Sequence, residues 1–95
     1  MNKIKNITPG EILLEEFLKP LNITAYRLSK DTSMPATRIS QILKGKRRIT
    51  ADTALRLSRY FGNSVDFWMG IQDEFDLREE AEKIEDELNR ISRAV

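Results

Sequence analysis

Ninety-five residues suffice for one compact domain with a small core, and are too few for two globular domains or a large enclosed substrate cavity. The chain contains neither cysteine nor histidine, which excludes disulfides, thiolate metal sites and thiol nucleophiles and removes the commonest general base and metal ligand. The net charge is only +1, yet residues 1–48 carry ten bases against four acids, whereas residues 49–95 carry six bases against eleven acids, an asymmetry that points to a polyanion for one half and a different partner for the other.

The Met1–Gly10 stretch has no apolar signal-peptide core, and no run approaches the ~18 apolar residues of a membrane span. A cytoplasmic location without membrane contact is therefore expected. Residues 1–7 read as an N-terminal arm. Thr8-Pro9-Gly10-Glu11 is a capping box with proline at the first helical position, so a helix is predicted from there to Pro20. Its core-facing stripe would be Leu13, Phe17 and Leu21. Thr24 is expected to cap a short second helix through Asp31, with Ala25 and Leu28 inside.

Thr32-Ser33-Met34-Pro35 reads as a turn, since Pro35 disfavours the helical region for Met34 and suits the start of a following helix. The third helix is predicted from Pro35 to Leu43. Its apolar side is Ile39, Ile42 and Leu43, which leaves Thr37, Arg38, Ser40, Gln41 and Lys44 on an outward face without a carboxylate. Gly45 ends it, Lys46-Arg47-Arg48 follow, and Thr50 is expected to cap a fourth helix closed by Gly62. A fifth opens at Val65 and carries Phe67, Trp68, Ile71 and Phe75, with Gly70 as a place that permits close approach of another backbone. From Asp76, read as another cap, Leu77, Ala81, Ile84, Leu88, Ile91 and Val95 form a heptad seam with acidic flanks. Its i,i+4 pairs would be Glu79 with Lys83 and Asp86 with Arg90.

Two short helices, a tight turn, and a cationic exit are what reading a DNA major groove requires: side chains that reach base edges, flanked by cations and helix N-termini for phosphates. A solvated loop is the plain alternative for the cationic run, and a solvated helix face for the acidic tail. Leu28-Ser29, Ser33-Met34-Pro35, Ile39-Ser40 and Leu43 together resemble the helix-turn-helix of phage-repressor-like proteins of the XRE or Cro/CI type. With Thr8-Pro9-Gly10-Glu11, Gly45-Lys46-Arg47-Arg48-Ile49-Thr50 and Phe67-Trp68, Ile71-Gln72 and Phe75-Asp76-Leu77 added, residues 8–77 are similar to HigA-type antitoxins of toxin–antitoxin modules.

That resemblance implies an all-α fold of five to six helices. The helix-turn-helix domain would span residues 8–75; the acidic heptad-patterned helical extension read from spacing, residues 76–95, lies beyond the resemblance, which ends near Leu77. It implies a homodimer on a palindromic double-stranded operator that represses its own operon, and a cognate toxin of the mRNA endonuclease type neutralised by protein–protein binding. A stand-alone repressor without a toxin is the alternative. Resemblance and exposed face agree on Ala36, Thr37, Arg38 and Gln41 at bases. Gln41 is suited to adenine and Arg38 to guanine or a phosphate. Thr24, Ala25, Ser40, Lys44, Lys46 and Arg47 are expected at phosphates. Arg48 is assigned there too, with an acid on the fourth helix as its alternative partner. Phe67, Trp68, Ile71 and Phe75 are expected at the dimer interface, with the core as the alternative for Trp68.

The resemblance has two departures. Ser33 stands where the superfamily usually has glycine, so a positive φ there would cost roughly 1 kcal/mol. Pro35 replaces the commoner serine and supplies neither hydroxyl nor N–H. No cofactor, metal or small-molecule substrate is implied. The only raw material for an enzyme is carboxylates such as Glu79, Glu80 and Glu82 on a predicted exposed helix. No aromatic platform accompanies the basic run, as single-stranded RNA recognition would require.

Overall fold

The structure, a computed structural model, describes residues 5–95. Among these, the elements are α1 (Pro9–Ile12), which continues as a π-helical segment (Leu13–Leu18), then α2 (Ala25–Thr32), α3 (Ala36–Leu43), α4 (Ala51–Phe61), α5 (Val65–Lys83) and α6 (Glu85–Asn89). The chain is all-α, as the periodicities predict. Its core is Leu13, Leu18, Leu28, Met34, Ile39, Ile42, Ile49, Ala54, Leu57 and Trp68.

Thr8 caps α1 by accepting from the Glu11 N–H at 3.1 Å, while the Glu11 carboxylate pairs with Lys5 at 3.1 Å. The π-helical segment then corrects the predicted stripe. A π turn closes i to i+5, as in Lys19 N–H to Leu14 O at 2.9 Å, and so advances the buried face by one residue. Leu13 and Leu18, five apart, are both buried, whereas Leu21, placed inside by the 3.6-residue period, is 56% exposed. Gly10 fixes this helix against α3. A Cβ at Gly10 would lie 1.9 Å from the Ile42 carbonyl oxygen, so only glycine permits the approach.

Thr24 caps α2 by accepting from the Arg27 N–H at 3.0 Å. Ala25 is exposed, contrary to expectation, and Thr32 joins Leu28 on the buried side. Thr50 occupies the N-cap position of α4 without a side-chain capping bond. Asp76 is not a cap: α5 runs through it without interruption to Lys83, across the predicted boundary at 75/76. The seam is not one helix either, because Ile84 (φ −112°, ψ 23°) separates α5 from α6, and residues 91–95 carry no regular structure. Lys83 pairs with Glu80 at 3.7 Å, and Glu79 accepts from Asn6 at 3.3 Å. The second Asn6 contact, to the Phe75 carbonyl at 3.1 Å, ties the described part of the arm to α5; residues 1–4 of that arm lie outside the described residues.

The radius of gyration is 16.0 Å, against about 12–13 Å for a compact domain of this length. The difference comes from the end of α5, α6 and the tail, where residues 80–95 are exposed throughout apart from the core. Among the described residues, a Cβ at Gly70 would meet nothing within 4 Å, so no other element approaches α5 at that point.

Candidate nucleic-acid interface

The turn between α2 and α3 sets the angle of the third helix. Ser33 adopts the left-handed conformation (φ 56°, ψ 39°), the strained choice that its side chain makes costly. Four hydrogen bonds hold it. The Met34 N–H reaches back to Ser29 O at 3.1 Å, Ser29 Oγ donates to Met34 O at 2.6 Å, and Arg56 on α4 donates to Thr32 O at 2.9 Å and Ser33 O at 3.4 Å. Met34 is buried by this turn, and Pro35 stands at the N-cap of α3 without a side-chain bond.

On α3, Ile39 and Ile42 are buried, and Ala36, Thr37, Gln41 and Lys44 are exposed, with Ser40 half-buried beside them. At about 100° per residue, Thr37, Gln41 and Lys44 fall within one narrow sector. Gly45 (φ 73°) ends the helix, with the Lys46 N–H bonded to Gln41 O at 2.8 Å. The exposed Lys46 and Arg47 therefore continue the same surface. Thr24 and Ala25, at the exposed start of α2, are the other predicted phosphate contacts.

Two of the predicted base contacts are not free side chains. Arg47 Nη1 donates to Gln41 Oε1 at 3.1 Å, which takes one of the two lone pairs of that oxygen and leaves the other, and the amide NH2, for a base. Arg38 Nη1 donates to Asp52 Oδ1 at 2.7 Å, with only 22% of its side chain exposed. Asp52 also accepts from Arg56 Nε at 2.8 Å. The guanidinium of Arg56, and then that of Arg38, hold the Asp52 carboxyl below the ordinary carboxylate range.

The cationic loop is anchored from behind. Gln72, buried on α5, accepts the Ile49 N–H at 2.7 Å and donates to Asp76 Oδ1 at 3.0 Å, and Asp76 Oδ2 pairs with Arg48 at 2.7 Å. Arg48 thus has its acid on α5 rather than on α4. Trp68 has no exposed surface: its ring packs on Phe17, Phe61 and Phe67, and Nε1 donates to Asn63 Oδ1 at 2.8 Å. It is a core residue and has no area to contribute to a dimer. Phe67 is 37% exposed, and Ile71 and Phe75 are half-buried.

The helix-turn-helix family profile matches residues 14–68, more than half of the chain. The chain is 47% identical over 77 residues to virulence-associated protein I of Dichelobacter nodosus, covering 81% of this chain and 71% of that protein. It is 31% identical over 85 residues to antitoxin HigA-1 of Vibrio cholerae, covering 90% and 80%. Antitoxin HigA of Pseudomonas aeruginosa, solved with the higBA promoter, superposes with a TM-score of 0.90 at 34% identity, covering 96% of this chain and all of that one. The chain belongs to the HigA family of helix-turn-helix antitoxins.

Within this HigA-family fold, Asp52, Arg56 and Gln72 are the residues that sequence reasoning missed. Each acts through a partner 14 to 24 positions away, for which periodicity carries no signal. Among the described residues no group of three or more carboxylates is arranged to hold a metal ion, and no helix is long and apolar enough to cross a membrane.

Proposed function

We propose that this chain is a sequence-specific DNA-binding antitoxin that represses its own operon and neutralises a cognate mRNA endonuclease toxin. The observation that carries the DNA half is the face of α3. Thr37, Gln41 and Lys44 lie in one exposed sector without a carboxylate, and Lys46 and Arg47 extend it. An α-helix with such a face fits the major groove, where Gln41 pairs with adenine, the Ala36 and Thr37 methyls meet thymine methyls, and Lys44, Lys46 and Arg47 hold phosphates. Thr24, Ala25 and Ser40 complete the phosphate contacts, with Arg48 beside them once its pair with Asp76 allows.

Operator reading by this motif uses two copies about 34 Å apart on a palindrome. The dimer interface is assigned to Phe67, Ile71 and Phe75 on α5, which retain apolar surface, and no longer to Trp68. The HigA-1 relative is named an antitoxin and the Pseudomonas aeruginosa protein was solved with its promoter; these support the operon and toxin halves.

The test is a pull-down of the protein from its own host, followed by titration of its own promoter. The expected result is a stoichiometric neighbouring gene product, toxic when expressed alone, and a promoter complex that contains two copies of this chain. Recovery of this chain alone, still bound to its promoter, would make it a stand-alone repressor. Failure to bind the promoter would remove the DNA half.

A further inference from the structure

Asp52 stands in the first turn of α4 and reaches two arginines with a single oxygen: Arg38 Nη1 at 2.7 Å and Arg56 Nε at 2.8 Å. Arg56 is itself fixed, because its Nη1 donates to the Thr32 and Ser33 carbonyls of the helix-turn-helix turn. The order of support therefore runs from the turn to Arg56, from Arg56 to Asp52, and from Asp52 to Arg38 in the first turns of α3. The Asp52 side of the pair is 54% exposed, so solvent screens it and the pair adds little to stability although Arg38 is largely covered; its main effect is on where Arg38 stands. A carboxylate flanked by two guanidiniums remains ionised at neutral pH.

The contact uses Nη1, and among the described residues Nε and Nη2 donate to nothing, which leaves that edge of the fork free of a protein partner. The carboxylate also decides which ligand. A phosphate brought to Arg38 would lie close to the Asp52 charge and be repelled, whereas guanine offers neutral acceptors, O6 and N7, to the same edge.

We propose that Asp52 is a positioning residue for sequence reading, holding Arg38 so that its Nε–Nη2 edge meets a guanine in the operator. This rests on the reading above that α3 enters the major groove, and it adds a specificity device outside the recognition helix. A pinned arginine loses less rotamer freedom on binding than a free one, which raises discrimination without a new base contact.

The experiment measures affinities of wild type, Asp52→Asn, Arg38→Ala and the double variant for the protein's own promoter fragment and for a random duplex, with thermal unfolding recorded for each. Asp52→Asn is expected to lower the ratio of promoter to random affinity about tenfold. Binding of the random duplex should hold or tighten, since a negative charge near phosphates is gone. In the Arg38→Ala background the same change should lower the ratio no further. Arg38→Lys, which keeps the charge and the pair but not the fork, should lose the ratio as Arg38→Ala does. An unchanged ratio in Asp52→Asn, an equal gain on both DNAs, or losses that simply add to those of Arg38→Ala would overturn the proposal. A wild type that fails to distinguish its promoter from random DNA would instead overturn the groove reading on which it rests.

Discussion

Trp68 is where aromatic area becomes stability. Its ring is enclosed by Phe17, Phe61 and Phe67, and its N–H is satisfied by Asn63. Trp68→Ala should cost about 3–5 kcal/mol in urea unfolding, with the loss present at every protein concentration rather than confined to dilute samples. A second residue-scale contact joins α2 to α4, where Tyr60 Oη donates to Asp31 Oδ2 at 2.6 Å and Arg27 Nε donates to the same oxygen at 3.2 Å. The Tyr60 bond, and then Arg27, push the Asp31 carboxyl below 3.8, and the Asp31 contact, with burial behind it, raises the Tyr60 phenol above 10.0. A lowered carboxylate contributes stability that is present above its unfolded value and lost as pH falls through the folded one; a raised phenol contributes below its unfolded value and loses it as pH rises through the folded one. The contact should therefore be fully formed between about pH 4 and pH 10. Tyr60→Phe should lower the melting temperature within that window and converge on wild type outside it, and a constant difference at all pH values would contradict the assignment.

At the scale of elements, α1 sets α3 through backbone contact at Gly10. Gly10→Ala forces a Cβ onto the Ile42 carbonyl and should cost about 2–3 kcal/mol in thermal or denaturant unfolding, far more than the gain in helix propensity. The same helix shows how far the chain is legible. Thr8, Pro9, Thr24 and Gly45 mark helix ends through local backbone chemistry, and the structure has those ends where they say. The π turn over Leu13–Leu18 leaves no such mark, so Leu18 and Leu21 exchange places relative to a 3.6-residue period. Asp76 has the look of a cap, but Gln72 and Arg48 claim its side chain while α5 continues. The outward face of α3 was readable from spacing; its tethers to Asp52 and Arg47 were not, since they depend on where α4 and the loop fold back.

Across the whole molecule, charge and shape separate. The basic half is built into the helix-turn-helix, and nine of the eleven acids of the other half, from Asp73 to Glu87, lie on the later part of α5 and on α6, which project from the core with Leu77, Ile84, Leu88 and Ile91 exposed. Binding to DNA should thus depend on a few cations and fall steeply with salt. Lys46→Ala should weaken promoter and random duplex alike and reduce the slope of log affinity against log salt by about one unit. A slope that does not change would place Lys46 away from phosphate.

Base reading by the exposed face of α3 is tested most directly by comparing Gln41→Ala with wild type on the promoter and on a random duplex at fixed salt. A base-reading Gln41 should give a loss of about 1–3 kcal/mol on the promoter and little on random DNA. Equal losses on the two DNAs would contradict it.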